Sequence, residues 1–432
     1  MFQMVRCAQT AGMDRKKCLP HGIPASIMIA MSDSSRKSFF PFFLLTALAF
    51  AFPLAAIAAE EDHQPVPVPT ADRSFQFEVQ HAIDRGLLWL RLNRHAEGWW
   101  STPDQPAVTA LALLAIQSDP SAADRESSPA WLETSYDYLM HSRQEDGGIY
   151  RKGLVTYNTA LGMLALIAAR QPDYEPIIRR ARAFLIGLQS DFNEKGKADS
   201  PFDGGIGYGG SYEHSDMGNT LQALEALYYS RHLSGDKSTS NTQDLDWGAA
   251  IHFLENCQNL PAYNEQPWAS DDPANKGGFV YYPGLSKAGA ATNSATGRVA
   301  LRSYGSISYA GMLSYIYAQL PKEDPRIQAV LEWLRGNYTL EENPGMGAQG
   351  LFYYFHTMSK ALSIYGMDKL YLADGTEIDW KNQLAMRMIN LQKPDGSWLN
   401  DQHGRWWEND PALVTSYAVL TLERILNAPE GL

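Results

Sequence analysis

Residues 389–398 read Ile389-Asn390-Leu391-Gln392-Lys393-Pro394-Asp395-Gly396-Ser397-Trp398: an apolar helix end, a glutamine, a tight Asp-Gly turn and a tryptophan. Pro394 and Gly396 stop a helix, and Asp-Gly favours a turn. The same order of signals recurs along the chain. Helices close on Trp89-Leu90, Tyr138-Leu139, Phe184-Leu185, Phe253-Leu254 and Trp333-Leu334, with Arg387-Met388 in sixth place. A turn of glycine and aromatic residues follows each, at Gly98-Trp99, Gly148-Ile149-Tyr150, 205–208, 278–281, 350–352 and Gly396-Ser397-Trp398. A second helix of small and apolar residues then begins, around Thr109, Asn158, Asn219, Ser308, His356 and Thr415. A helix pair cannot bury its apolar face alone, so six stacked pairs must share one core.

Hydrophobic periodicity predicts helices over 76–93, 107–117, 130–142, 156–169, 176–190, 217–232, 246–258, 305–319, 325–336, 353–365, 380–392 and 411–426. In 156–169, Leu161, Leu164, Ala165 and Ala168 share one face, and Ala160, Gly162 and Ala165 allow crowding on several sides. Two long connections, 191–216 and 259–302, are rich in glycine, serine, asparagine and aromatics. Long ordered loops are either functional or surface decoration.

The 432-residue chain carries a net charge of -12. Residues 1–58 hold six basic and two acidic residues, which leaves 30 basic against 46 acidic, or -16, in the remainder. Such a surface excludes nucleic acid as a partner and disfavours adsorption to anionic lipid. Residues 1–58 read as an N-terminal extension and export signal. Arg36 and Lys37 precede the apolar run 39–57, and Ala56-Ile57-Ala58 forms a small-residue cleavage site. Residues 35–40 faintly resemble a twin-arginine signal. The expected location is periplasmic or extracellular; the alternative is an uncleaved anchor over 39–59. Residues 59–74 form a polar linker with Pro65, Pro67 and Pro69 at alternate positions, 75–427 the repeat domain, and 428–432 a tail. After cleavage Cys257 would be the sole cysteine, which excludes an internal disulfide.

The stretch Gln392 to Trp398 resembles the Q-x-x-D-G-S-W repeat of squalene and oxidosqualene cyclases, and Gln144-Glu145-Asp146-Gly147-Gly148 is a weaker copy. Residues 75–427 resemble the terpene cyclase and protein prenyltransferase β-subunit superfamily. The resemblance implies an all-α fold, an α6/α6 toroid of six inner and six outer helices around a central apolar cavity. It also implies an isoprenoid or other apolar small molecule as ligand. The helices at 156–169, 217–232, 305–319, 353–365 and 411–426 are expected inside. The repeat motif stabilises rather than catalyses, so the family's chemistry must be sought residue by residue.

Hopene-type cyclases protonate an alkene with a D-x-D-D aspartate, and this chain has none. Asp244-Leu245-Asp246-Trp247 comes nearest, but it opens an outer-type helix, where acids favour the helix dipole. Phe355-His356-Thr357-Met358 does not match the D-C-T-A-type motif of oxidosqualene cyclases. Residues 352–357 resemble the zinc-ligating histidine segment of the prenyltransferases and put His356 on that ligand's position. However, Tyr304 and Ser306 stand where its aspartate and cysteine belong. One histidine does not make a zinc site, so neither metal nor cofactor is expected. No C-G-E-Q thioester motif occurs.

Polar residues at inner-helix starts remain: Asn158, Asp216 with Asn219, Tyr304 with Ser306, His356, and Glu408 with Asp410. In a toroid those starts converge on one mouth. The candidate catalytic set is therefore His356, Asp216, Tyr304, Glu408 and Asp410, with Tyr208, Tyr281, Tyr353, Tyr354, Trp406 and Trp407 as cavity or rim. Each Asn, Asp and Ser there also fits an N-cap, and His356 also fits a satisfied core histidine. Two other classes stay open: a non-catalytic toroid binding a lipid or protein, and a carbohydrate-active α6/α6 enzyme.

Overall fold

The computed structural model describes residues 70–122, 129–210, 214–235, 244–292 and 297–427. The proposed export signal, its alternative anchor and the tail lie outside them. Twelve α-helices follow one another: α1 (Thr70–Leu92), α2 (Pro106–Gln117), α3 (Glu133–Met140), α4 (Val155–Ala168), α5 (Glu175–Gly187), α6 (Met217–Tyr229), α7 (Trp247–Glu255), α8 (Gly305–Tyr317), α9 (Pro325–Gly336), α10 (Leu351–Tyr365), α11 (Trp380–Leu391) and α12 (Pro411–Asn427). The even-numbered helices pack one against the next, and α12 packs on α2, which closes an inner ring. The odd-numbered helices lie outside them. The outer helix of the first repeat, α1, rests along α12 and against α11, so the first repeat and the last complete each other. The fold is the expected all-α toroid, with α2 joining the five helices predicted inside.

Residue type explains the two rings. Every residue of α8 except Ile316 is buried, as a helix crowded on all sides requires. Outer α5 instead buries one stripe, including Ile177, Ile178, Ala181 and Leu185. No helix among the described residues is long and apolar enough to cross a membrane. Two departures from the sequence reading are local. Residues 70–74, expected in the extended linker, are helical, because the last barrier proline is Pro69. Two short hairpins, β1 (Ala290–Thr292) with β2 (Val299–Leu301) and β3 (Leu370–Tyr371) with β4 (Glu377–Ile378), lie in connections.

The repeat motif ties neighbouring repeats together. Gln392 donates from Nε2 to the Gly396 carbonyl of its own turn and to the Ala82 carbonyl of α1, at 3.0 and 2.9 Å. Gln189 spans in the same way to Asp246, and Gln258 to Arg326. Gly396 sits at φ +94°, where a Cβ would lie 2.6 Å from the Arg85 carbonyl oxygen. Only glycine allows both that backbone and that approach. Similar contacts with the next outer helix recur at Gly98, Gly147, Gly204 and Gly277.

The residue two or so beyond each turn glycine then points its N–H at an inner-helix hydroxyl. Trp100, Ile149, Ile206, Phe279 and Trp398 donate to Thr109, Thr159, Thr220, Ser308 and Thr415. Trp398 is fully buried, and its indole donates to the Met388 carbonyl at 2.7 Å. Trp398→Ala should therefore destabilise the protein by about 3–5 kcal/mol, read as a lowered midpoint in chemical denaturation. An unchanged midpoint would remove the indole from the ring's foundations.

Candidate functional site

A cavity of about 600 Å³ occupies the bore. Its innermost lining residues are Leu111 on α2, Tyr157 on α4, Gln222 on α6, His356 on α10 and Tyr417 on α12; α8 contributes none. From there it runs toward the C-terminal ends of the inner helices. It reaches the surface at the exposed residues Arg170, Gln171 and Glu175 between α4 and α5, and at His232 beyond α6.

The cavity has two faces. Leu111, Leu114, Leu161, Leu164 and Ile167 of α2 and α4 make one apolar wall. The facing wall is polar, from α6, α10 and α12. Lys360 on α10 meets both carboxylate oxygens of Glu225 on α6, at 2.6 and 2.8 Å, and both side chains are nearly fully buried. Burial pushes the Lys360 ammonium down to about 8, against the pull of Glu225. His356 is 4% exposed, and its ring lies 4.9 Å from that of Tyr417. Burial first, then Lys360 and Arg424, hold it well below the usual histidine range. It is thus neutral, with Nδ1 facing the Arg424 guanidinium at 3.4 Å. The hydroxyls of Tyr157 and Tyr417 share a hydrogen bond of 2.7 Å at the closed end.

Of the five expected catalytic residues, only His356 lines this cavity. The other four do not line it, and the carboxylates of Asp216, Glu408 and Asp410 are engaged at helix starts. Asp216 caps α6, accepting from the Asn219 N–H and its side-chain amide, and burial raises its carboxyl above the usual range. Asp410 caps α12 through Ala412 and Leu413. Glu408 accepts from the Tyr353 N–H at the start of α10 and from Asn400. Tyr304 holds the N-cap position of α8 without a side-chain cap bond. Asp246 likewise caps α7.

The expected rim residues also stand apart from the cavity. Tyr208 and Tyr281 pair through their hydroxyls at 2.7 Å. Tyr353 packs on Tyr417, and Tyr354 donates to the Thr339 carbonyl. Trp406 and Trp407 are 41% exposed. Trp407 and Asp410 instead line a separate groove with Trp89, Trp99 and Arg94. Tyr304 and Ser306 hold no metal-like set, and no group of three or more His, Cys, Asp or Glu among the described residues could hold an ion. Glu423 is buried with neither oxygen hydrogen-bonded; burial pushes it well up, so it keeps its proton, outside the cavity.

Sequence reading missed Gln222, Glu225, Lys360 and Arg424. The available signal was a charge inside an otherwise apolar inner helix, as in Gln222-Ala223-Leu224-Glu225-Ala226-Leu227.

No protein-family model and no curated protein matches the sequence. Solved structures do. An arginine-to-alanine variant of type II terpene cyclase MstE from Scytonema, in complex with geranylgeranyl dihydroxybenzoate (substrate), superposes with a TM-score of 0.50 at 12% identity. It covers 83% of this chain and 100% of that one. The fold is that of the terpene cyclase-like α/α toroids. An aspartate-to-alanine variant of the same enzyme with merosterolic acid A (product) gives 0.50 and 12%, covering 83% and 99%. A family 76 glycoside hydrolase from a bovine Bacteroides thetaiotaomicron strain gives 0.46 and 13%, covering 80% and 77%.

Two expectations follow from the toroid's buried charges. Lys360→Met strands the buried Glu225 without its cation and should cost about 3–5 kcal/mol, while adding Glu225→Leu should return most of it. Urea unfolding of the single and double variants checks this; equal losses would show the pair to be dispensable. Glu408 is pushed up to about 7 by burial. Its folded form therefore holds a proton that the unfolded chain has lost between about pH 4.5 and 7. Stability should fall as pH rises through that window and level off above it. The slope Glu408 adds is at most about 1.4 kcal/mol per pH unit, and Glu408→Gln should flatten it.

Proposed function

We propose that this toroid takes up an isoprenoid-like apolar ligand in its bore. The observation that carries the reading is the 600 Å³ cavity with its continuous leucine and isoleucine wall. That volume falls within the roughly 300–1,000 Å³ of small-molecule sites. Burying apolar ligand surface there gains about 25 cal/mol per Å². The ligand named for the MstE structure, geranylgeranyl dihydroxybenzoate, has an apolar chain of the same kind.

The reading favours binding over cyclisation by alkene protonation. An acid that protonates an alkene must stand free in an apolar pocket. The cavity's carboxyls are Glu225, committed to Lys360, and Glu175, exposed at the entrance. With the N-terminal segment read as an export signal, the proposal is of an exported binding protein.

Displacement of the neutral fluorophore Nile red by geranylgeraniol tests this. The wild-type protein should release the dye as the alcohol is added. Leu164→Trp, which fills the bore from α4, should weaken the alcohol by about tenfold or more, with helical circular dichroism unchanged. No displacement in the wild type would overturn the proposal.

A further inference from the structure

Resting on that reading of the bore, we propose that the ligand's head is an acid, a carboxylate on an apolar body, held by Arg424. Arg424 stands on α12 in the polar wall and is half-buried. Its Nη1 donates to His356 Nδ1 at 3.4 Å and to the Leu420 carbonyl at 3.3 Å. It forms no ion pair with a carboxylate among the described residues. A guanidinium stays charged at any ordinary pH, and its planar fork matches a carboxylate in two parallel hydrogen bonds.

The charges around it fix the sign and number. Away from the entrance the wall holds two cations, Lys360 and Arg424, against one carboxylate, Glu225, which Lys360 engages through both oxygens. His356 is neutral and adds nothing. One positive charge is left over, which matches a carboxylate monoanion better than a diphosphate. At the entrance Glu175 is ion-paired with Arg179, and Arg170 is exposed to solvent.

A further polar group of the cavity lies on α6. Gln222 is 5% exposed and lines the cavity, yet its amide oxygen finds no hydrogen-bond donor in the protein. Buried amides are nearly always satisfied. Its amide N–H engages the Tyr353 hydroxyl and its oxygen can only accept, so the charge of the head falls to Arg424. The apolar wall on α2 and α4 faces these groups, so a ligand with one polar end and one apolar body satisfies both walls at once.

The test compares geranylgeranoic acid with geranylgeraniol, two ligands with the same chain and different heads. Nile red displacement is measured at neutral pH on the full chain. The acid should bind the wild type about tenfold or more tightly than the alcohol, the gain of a charge-assisted pair. Arg424→Met should erase that preference, bringing the acid's affinity to the level of the alcohol's in the same variant, while Arg424→Lys should keep part of it. Thermal melts confirm that the variants fold. If Arg424→Met does not fold, the wild-type ratio still decides. Equal affinity of the wild type for acid and alcohol overturns the acid head and leaves the apolar-ligand reading standing. A preference that survives in Arg424→Met removes Arg424 from the site. Failure of both ligands to bind overturns both proposals.

Discussion

The ring depends on the junction between consecutive outer helices. A closed ring has no free end at which an error in angle can be absorbed, so each junction must meet its neighbour with the same geometry. Five junctions use a glycine whose missing side chain lets the next helix touch the turn, and three of them add a glutamine that bonds its own turn and the next repeat. The last junction, Gln392 to Ala82, joins residues 310 positions apart, and Arg85 reinforces it by donating to the Lys393 and Pro394 carbonyls. The fifth repeat lacks the device. There Arg387 of α11 reaches back to the Leu340 carbonyl, and Asn343 ties the turn to Ser306 of α8.

Closing the ring creates the bore, and the bore creates an electrostatic problem. Charges facing an apolar lumen are costly unless paired. Glu225 and Lys360 solve it by meeting across the helix between them, α8, which lends the cavity no residue. His356 solves it by staying neutral. Arg424 has neither option, which is why the polar wall ends in an unbalanced cation.

The fold was legible because its signals are local and repeated. Aromatic-Leu helix ends and Gly turns recur with a fixed order, and the helices lie within a few residues of their expected limits. Caps were legible too, since Asp216, Asp246 and Asp410 bond the helix starts they precede. The cavity's polar wall was not legible. Glu225, Lys360 and Arg424 are single charges in separate helices, and only ring closure brings them together. Nor did the sequence reveal that Trp406 and Trp407 adopt positive φ, 58° and 66°, and stay partly exposed.

The same closure explains why the bore opens at the end opposite to the one the polar helix starts suggested. Each inner helix begins with N–H groups that lack intrahelical partners. Here the next repeat supplies them. Asn158 accepts from Ala107 of α2, the Tyr208 carbonyl from Thr156 of α4, the Tyr281 carbonyl from Met217 of α6, the Pro344 carbonyl from Gly305 of α8, and Glu408 from Tyr353 of α10. The long connections 191–216 and 259–302 are what carry Tyr208 and Tyr281 there. Their carbonyls thus cap the starts of α4 and α6, and their hydroxyls bond each other. The C-terminal ends need no such cover, because a carbonyl can be satisfied by a tightened last turn or by water. The connection from α4 to α5 is short, so that end of the bore stays accessible, and the groups that face it govern what enters.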